Sequence, residues 1–88
     1  MQHELKIFPE YYQEIVTGRK KFEIRQTDRD YKIGDTLYLR EFNLKMLPNP
    51  INGYYTGRIC FVRIDYILFH APGLELGYCI LSITHLKK

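Results

Sequence analysis

A chain of 88 residues has room for one domain and one small core, read here as residues 1–88. Hydrophobic residues make up 45% of it and aromatic residues 15%, a composition that excludes a disordered chain. The net charge of +3 is too small to announce a phosphate binder by itself, and neither the Met1–Lys6 start nor any apolar run fits a secretory leader or a membrane helix, so the sequence predicts a cytoplasmic protein without a membrane partner.

In chain order, His3, Leu5 and Ile7 alternate with Glu4 and Lys6 and predict a first strand, with His3 inward as a hydrogen-bonded core or rim residue. Pro9 suits the first turn of a helix over about residues 9 to 17. Phe8, Tyr11, Tyr12, Ile15 and Val16 form its inner face, and Gly18 stops it. A second strand covers about residues 20 to 26. Its alternation predicts Phe22 and Ile24 buried, with Glu23 and Arg25 displayed together on the opposite face. Residues 27–30 read as a loop whose aspartates, Asp28 and Asp30, bond to local backbone amides. Gly34-Asp35 turns the chain into a third strand, Leu37 and Leu39 on one side, Tyr38 and Arg40 on the other.

Residues 43–53 hold Pro48, Pro50 and Gly53 and read as an excursion between strands. The longest β signal runs from Tyr55 to Leu68, with Cys60, Val62, Ile64, Tyr66 and Leu68 on one face. After a loop marked by Pro72 and Gly73, the last strand, Tyr78 to Leu86, turns Cys79, Leu81 and Ile83 inward. Cys60 and Cys79 do not form a metal-ligand spacing and read as reduced core residues. The fold class is therefore mostly β (α+β): a small barrel of about five or six strands with one N-terminal helix covering an opening.

Chemistry concentrates in Gly18-Arg19-Lys20-Lys21-Phe22-Glu23-Ile24-Arg25. A carboxylate beside cations can orient a lysine or guanidinium, or accept a hydrogen bond from a base edge. The guanidinium fork fits phosphate or stacks on a base. Spacing alone favours a solvated strand face with one surface ion pair. Arg29 follows on the same rim. Among Tyr11, Tyr12, Tyr38, Tyr54 and Tyr55, one or two could be exposed stacking platforms. No Ser-His-Asp or Cys-His arrangement, phosphate-cradling glycine loop or zinc spacing is readable, so no metal and no cofactor are expected.

Gly18, Lys20, Glu23 and Arg25 fit the G-x-K-x-x-E-x-R motif, and the chain resembles the ASCH domain of the PUA-like superfamily. His3 to Ile7, Pro9-Glu10-Tyr11, Asp28 to Tyr31, Ile33-Gly34-Asp35, Tyr55 to Arg58 and Gly77 to Ile83 resemble a small ASCH-like subfamily of bacteria and phages. The resemblance implies a β-barrel with a cleft beside the first helix. Lys20, Glu23 and Arg25 would line it, with Gly18 shaping the turn, and the ligand would be RNA or a nucleotide. One enzymatic branch of the family deacetylates acetylated cytidine with a threonine where Glu23 stands; other members are nucleases. Whether this chain is an enzyme is left open at this point, as is a protein-interaction role for the 43–53 excursion.

Overall fold

The computed structural model describes residues 1–44 and 53–87. The elements are β1 (Gln2–Ile7), α1 (Pro9–Val16), β2 (Phe22–Gln26), β3 (Thr36–Asn43), β4 (Tyr54–Leu68) and β5 (Tyr78–Leu86). They form one sheet in the order β1-β3-β4-β5-β2, with β1 parallel to β3 and the other pairs antiparallel. Among the described residues the chain is thus mostly β, with five strands and one helix, as its alternation predicts. Most of the excursion, including Met46 and Leu47, lies outside the described residues.

The sheet must curl. Laid flat, its two outer strands would stand about 19 Å apart. Yet Arg25 Nη2 on β2 donates to the Lys6 carbonyl of β1 at 2.8 Å. The edges therefore face each other across a narrow seam, and the sheet is a curled half-barrel. Its concave side holds Ile7, Leu37, Leu39, Val62, Ile64, Cys79 and Leu81, and Tyr12 and Ile15 of α1 pack among them. Phe8 and Tyr11, expected on the same helix face, are exposed instead. Both cysteines are buried and free, and burial, with Glu23 nearby, pushes the Cys60 thiol up to about 11. Among the described residues no helix is long and apolar enough to cross a membrane.

Two strands depart from the expected faces. In β2 the alternation is inverted: Glu23 is buried, whereas Phe22 and Ile24 are exposed. The cause is register. Glu23 lies opposite Leu81 and Arg25 opposite Cys79, and directly opposed residues of an antiparallel pair share a face. Burying Cys79, Leu81 and Ile83 of β5 fixes which β2 residues point inward. In β4 a bulge at Asp65 lies between the pairs Ile64–Ile83 and Tyr66–Ser82. It switches the alternation, so Tyr66 is exposed and Ile67 packs on the core. In the loop after β2, Asp28 and Asp30 pair with Arg29 and Lys32, at 3.8 and 3.1 Å, and bond to no backbone amide among the described residues.

Asp35 ties the start of the chain to β3. Its buried carboxylate accepts from the Met1 amine at 3.1 Å, from His3 Nε2 at 2.8 Å and from the Lys32 amide at 3.1 Å. The His3 ring meets Tyr31 edge-on at 4.9 Å. These bonds, the one from His3 first, hold the Asp35 carboxyl down at about 2. A depressed carboxyl stabilises the fold fully above its unfolded value of about 4, and the contribution is lost as pH falls towards 2. Urea unfolding of Asp35→Asn should show a loss of about 2 kcal/mol at pH 7, with the gap to the parent chain closing between pH 4 and 2. An unchanged gap at acid pH would contradict this account.

Candidate functional site

The site begins where α1 ends. Gly18 takes φ +84°, a left-handed conformation that suits glycine. The Lys20 amide then bonds back to the Glu14 carbonyl at 2.9 Å. This wraps the chain around the helix end and turns Lys20 towards the seam. Lys20 Nζ donates to Glu23 Oε1 and to the Phe22 carbonyl. From the other side, Arg25 Nε donates to Glu23 Oε2 at 3.1 Å. Glu23 is only 5% exposed, and the side chains of Lys20 and Arg25 are 14% and 21% exposed. Lys20, Glu23 and Arg25 therefore converge on the seam rather than lying on a flat solvated face.

Two adjoining hollows of about 380 Å³ each meet over Glu23 and share Tyr11 and Ile24. One extends to Lys6, Phe8, Arg25 and Phe42, the other to Lys20 and Phe22. The inverted strand gives the cleft its walls, because Phe22 and Ile24 flank it from outside the core. Lys20 Nζ sits 4.6 Å from the Phe22 ring centroid and 5.3 Å from that of Tyr11; Lys6 Nζ sits 4.3 Å from that of Phe42. The result is a cleft with aromatic walls, a carboxylate–guanidinium floor and three cations to one acid. A carboxylate has about four acceptor directions, so Glu23 retains capacity to accept from a ligand. A planar ring with a hydrogen-bonding edge, carrying an anionic group, matches this chemistry.

Arg29 does not line either hollow; its guanidinium lies beside Asp28. Gly18 shapes the approach and borders a different hollow with Lys21, Thr84 and His85. Arg19 is engaged by Glu14 at 2.6 Å. Among the described residues no group of three or more His, Cys, Asp or Glu side chains is placed to hold a metal ion.

A third buried carboxylate, beside those of Glu23 and Asp35, escaped the sequence reading. Glu41 is 2% exposed and lies opposite Ile7 of β1. Between the pairs Arg40–Ile59 and Phe42–Tyr55, three residues of β4 (Thr56, Gly57 and Arg58) stand against Glu41 alone. Gly57 supplies the positive φ, +94°, that this bulge needs. The bulge folds over the carboxylate: Thr56 Oγ1 donates to Oε1 at 2.6 Å, Arg58 Nε to Oε1 at 2.9 Å and Arg58 Nη2 to Oε2 at 2.7 Å. Arg58, foremost, holds the Glu41 carboxyl below its usual range. The signal was present in sequence, since Glu41 continues the inward phase of Leu37 and Leu39. The clasp also sets Phe42, the next residue, on the outer side against the cleft.

The family model described as a domain of unknown function, DUF3850, matches residues 2–83, and the chain belongs to that family. A relative is an uncharacterized 12.9 kDa protein in the GpA 3' region of Escherichia phage P2. It is 34% identical over 79 residues, an alignment covering 77% of this chain and 65% of the phage protein. The chain thus spans less than two thirds of that relative's length.

The Glu41 clasp gives a direct test. Removing one partner of a buried ion pair leaves an uncompensated charge and costs several kcal/mol. Arg58→Ala should therefore move the urea midpoint of unfolding to lower concentration, and adding Glu41→Gln should recover part of that shift. A midpoint equal to that of the parent chain would mean that the clasp contributes nothing.

Proposed function

We propose that the chain is a PUA-like module of the ASCH kind that binds RNA, or a nucleotide, in the cleft over Glu23. The observation that carries this reading is the convergence of Lys20, Glu23 and Arg25 beneath aromatic walls. A nucleobase inserted between Tyr11, Phe22 and Phe42 would present its hydrogen-bonding edge to Glu23 and Arg25. Its phosphate would find Lys6 and Lys20 at the mouth. Phosphate contacts supply affinity that is sensitive to salt, and stacking supplies affinity that tolerates sequence.

Binding is favoured over catalysis by the state of Glu23. Both of its oxygens accept from cations, so it acts as an organiser of Lys20 and Arg25 rather than as a poised base. The position also lacks the hydroxyl that the deacetylating branch uses as nucleophile.

Fluorescence anisotropy with labelled single-stranded RNA of mixed sequence tests this. The variant is Lys20→Ala/Glu23→Gln/Arg25→Ala, which removes the site without orphaning a buried charge. Affinity should fall at least about tenfold, as expected on losing the charged hydrogen bonds to the base edge and the phosphate. The salt slope should become shallower by about 0.7, for one net cation lost. Equal affinity and equal slope in a folded variant would refute the proposal. RNA cleavage by the parent chain, abolished by Glu23→Gln, would favour a nuclease instead.

A further inference from the structure

We infer that the outer face of the sheet beside the cleft is a stacking strip for single-stranded nucleic acid, taking the bases next to the one held over Glu23. The inference rests on the reading of the cleft given above and extends it from a nucleotide to a short strand.

The strip follows from the phase of β3. Leu37, Leu39 and Glu41 point into the core, so Tyr38, Arg40 and Phe42 point out. Across the β3–β4 ladder Phe42 faces Tyr55 and Tyr38 faces Phe61. Each pair has ring centroids 5.0 Å apart, the first edge-to-face and the second stacked with an interplanar angle of 12°. Phe42 lies four residue steps along β3 from Tyr38, so the two aromatic stations lie about 13 Å apart along the strand. The strip and the cleft are continuous, because Lys6 and Phe42 form a wall of the cleft and also the near end of the strip.

The charges choose the occupant. Arg40 lies 3.7 Å from the Tyr55 ring centroid, and Lys6 lies over Phe42. Glu4 is the acid on this stretch, and Arg40 already engages it at 2.9 Å. Cleft and strip together offer Lys6, Lys20, Arg25 and Arg40 against Glu4 and Glu23. A protein-binding core would be depleted of lysine, whereas here lysine sits at the junction. Tyr55 is exposed and Phe42 half-buried; cations over rings so open to water are held weakly, and base stacking on an aromatic ring is the stronger contact. An incoming base can therefore displace Arg40 or Lys6 from its ring, and the long stem carries the charge to a neighbouring phosphate. The apolar rings and the cations that now cover them become a stacking surface and a phosphate rail.

Calorimetric titration of the whole chain separates this inference from the reading beneath it. The probes are the four ribonucleoside 5′-monophosphates and the matching RNA and DNA homotetranucleotides. The tetranucleotide of the preferred base should bind about tenfold or more tighter than its monophosphate, as one added stacked base provides. Tyr55→Ala should abolish most of that gain and leave the monophosphate affinity unchanged. Tyr38→Leu, which keeps an apolar packing partner for Phe61, should remove part of it. Monophosphate binding with no gain for either tetranucleotide would overturn the strip, assign the face to other partners and leave the cleft reading intact. A gain that survives both substitutions together would also overturn it. If neither monophosphate nor tetranucleotide bound, both readings would fall.

Discussion

The seam between β1 and β2 is where a five-stranded sheet either closes or exposes two edges. An open edge presents unpaired backbone groups and invites unwanted pairing. Here Arg25 reaches across: one arm of its guanidinium holds the Lys6 carbonyl, and Nε holds Glu23. The fork geometry of arginine makes this double engagement possible, where a lysine would supply a single point of charge. Glu23 in turn fixes Lys20, whose position depends on the Gly18 turn at the end of α1. The ion cluster that bridges the two edges of the curled sheet is thus the same cluster that floors the cleft.

This coupling explains why a charged residue occupies an inward position at all. An ion pair taken from water gains stability only when its partners and hydrogen bonds are in place, and the cleft provides them. The inward turn of Glu23 has a second consequence. Phe22 and Ile24 must face out, and they become cleft walls rather than core. A similar trade occurs at Glu41, whose clasp by Thr56 and Arg58 leaves Phe42 on the outer side. Two buried carboxylates therefore set the positions of the aromatic rings around the opening, while the apolar core of Leu37, Leu39, Val62, Ile64 and Leu81 supplies the cohesion.

Much of this was legible in the chain. Strand periodicity located the strands of the described residues, and β5 has the predicted limits of Tyr78 and Leu86, with Cys79, Leu81 and Ile83 inward in one unbroken phase. Pro9 and Gly18 marked the helix ends. The motif Gly18, Lys20, Glu23 and Arg25 picked out the three side chains that meet at the seam and the glycine turn that leads to them. What local pattern could not decide was which face of β2 is buried. Phe22 and Ile24 argue one way, and the register against Cys79 and Leu81 some 55 residues later argues the other. The wider apolar face won. The bulges at Asp65 and at Thr56–Arg58 were hidden for a related reason: each is defined by its partner strand, so the phase change at Tyr66 and the partners of Glu41 appear only once strands are paired.

The central claim is that the Glu23 cluster is a ligand-binding centre as well as a bridge between the two edges of the sheet. Nitrogen-15 NMR of the Arg25 side chain tests it most directly, because the Nε–H bond to Glu23 lies at the point where both roles meet. On titration with a single-stranded RNA tetranucleotide, the Arg25 Nε–H signal and the amides of Phe22 to Arg25 should shift along one saturable curve. The His3–Asp35 corner, at the other end of β1, should stay still. A stationary Arg25 signal at saturating RNA, or shifts confined to surfaces away from β2, would contradict the account.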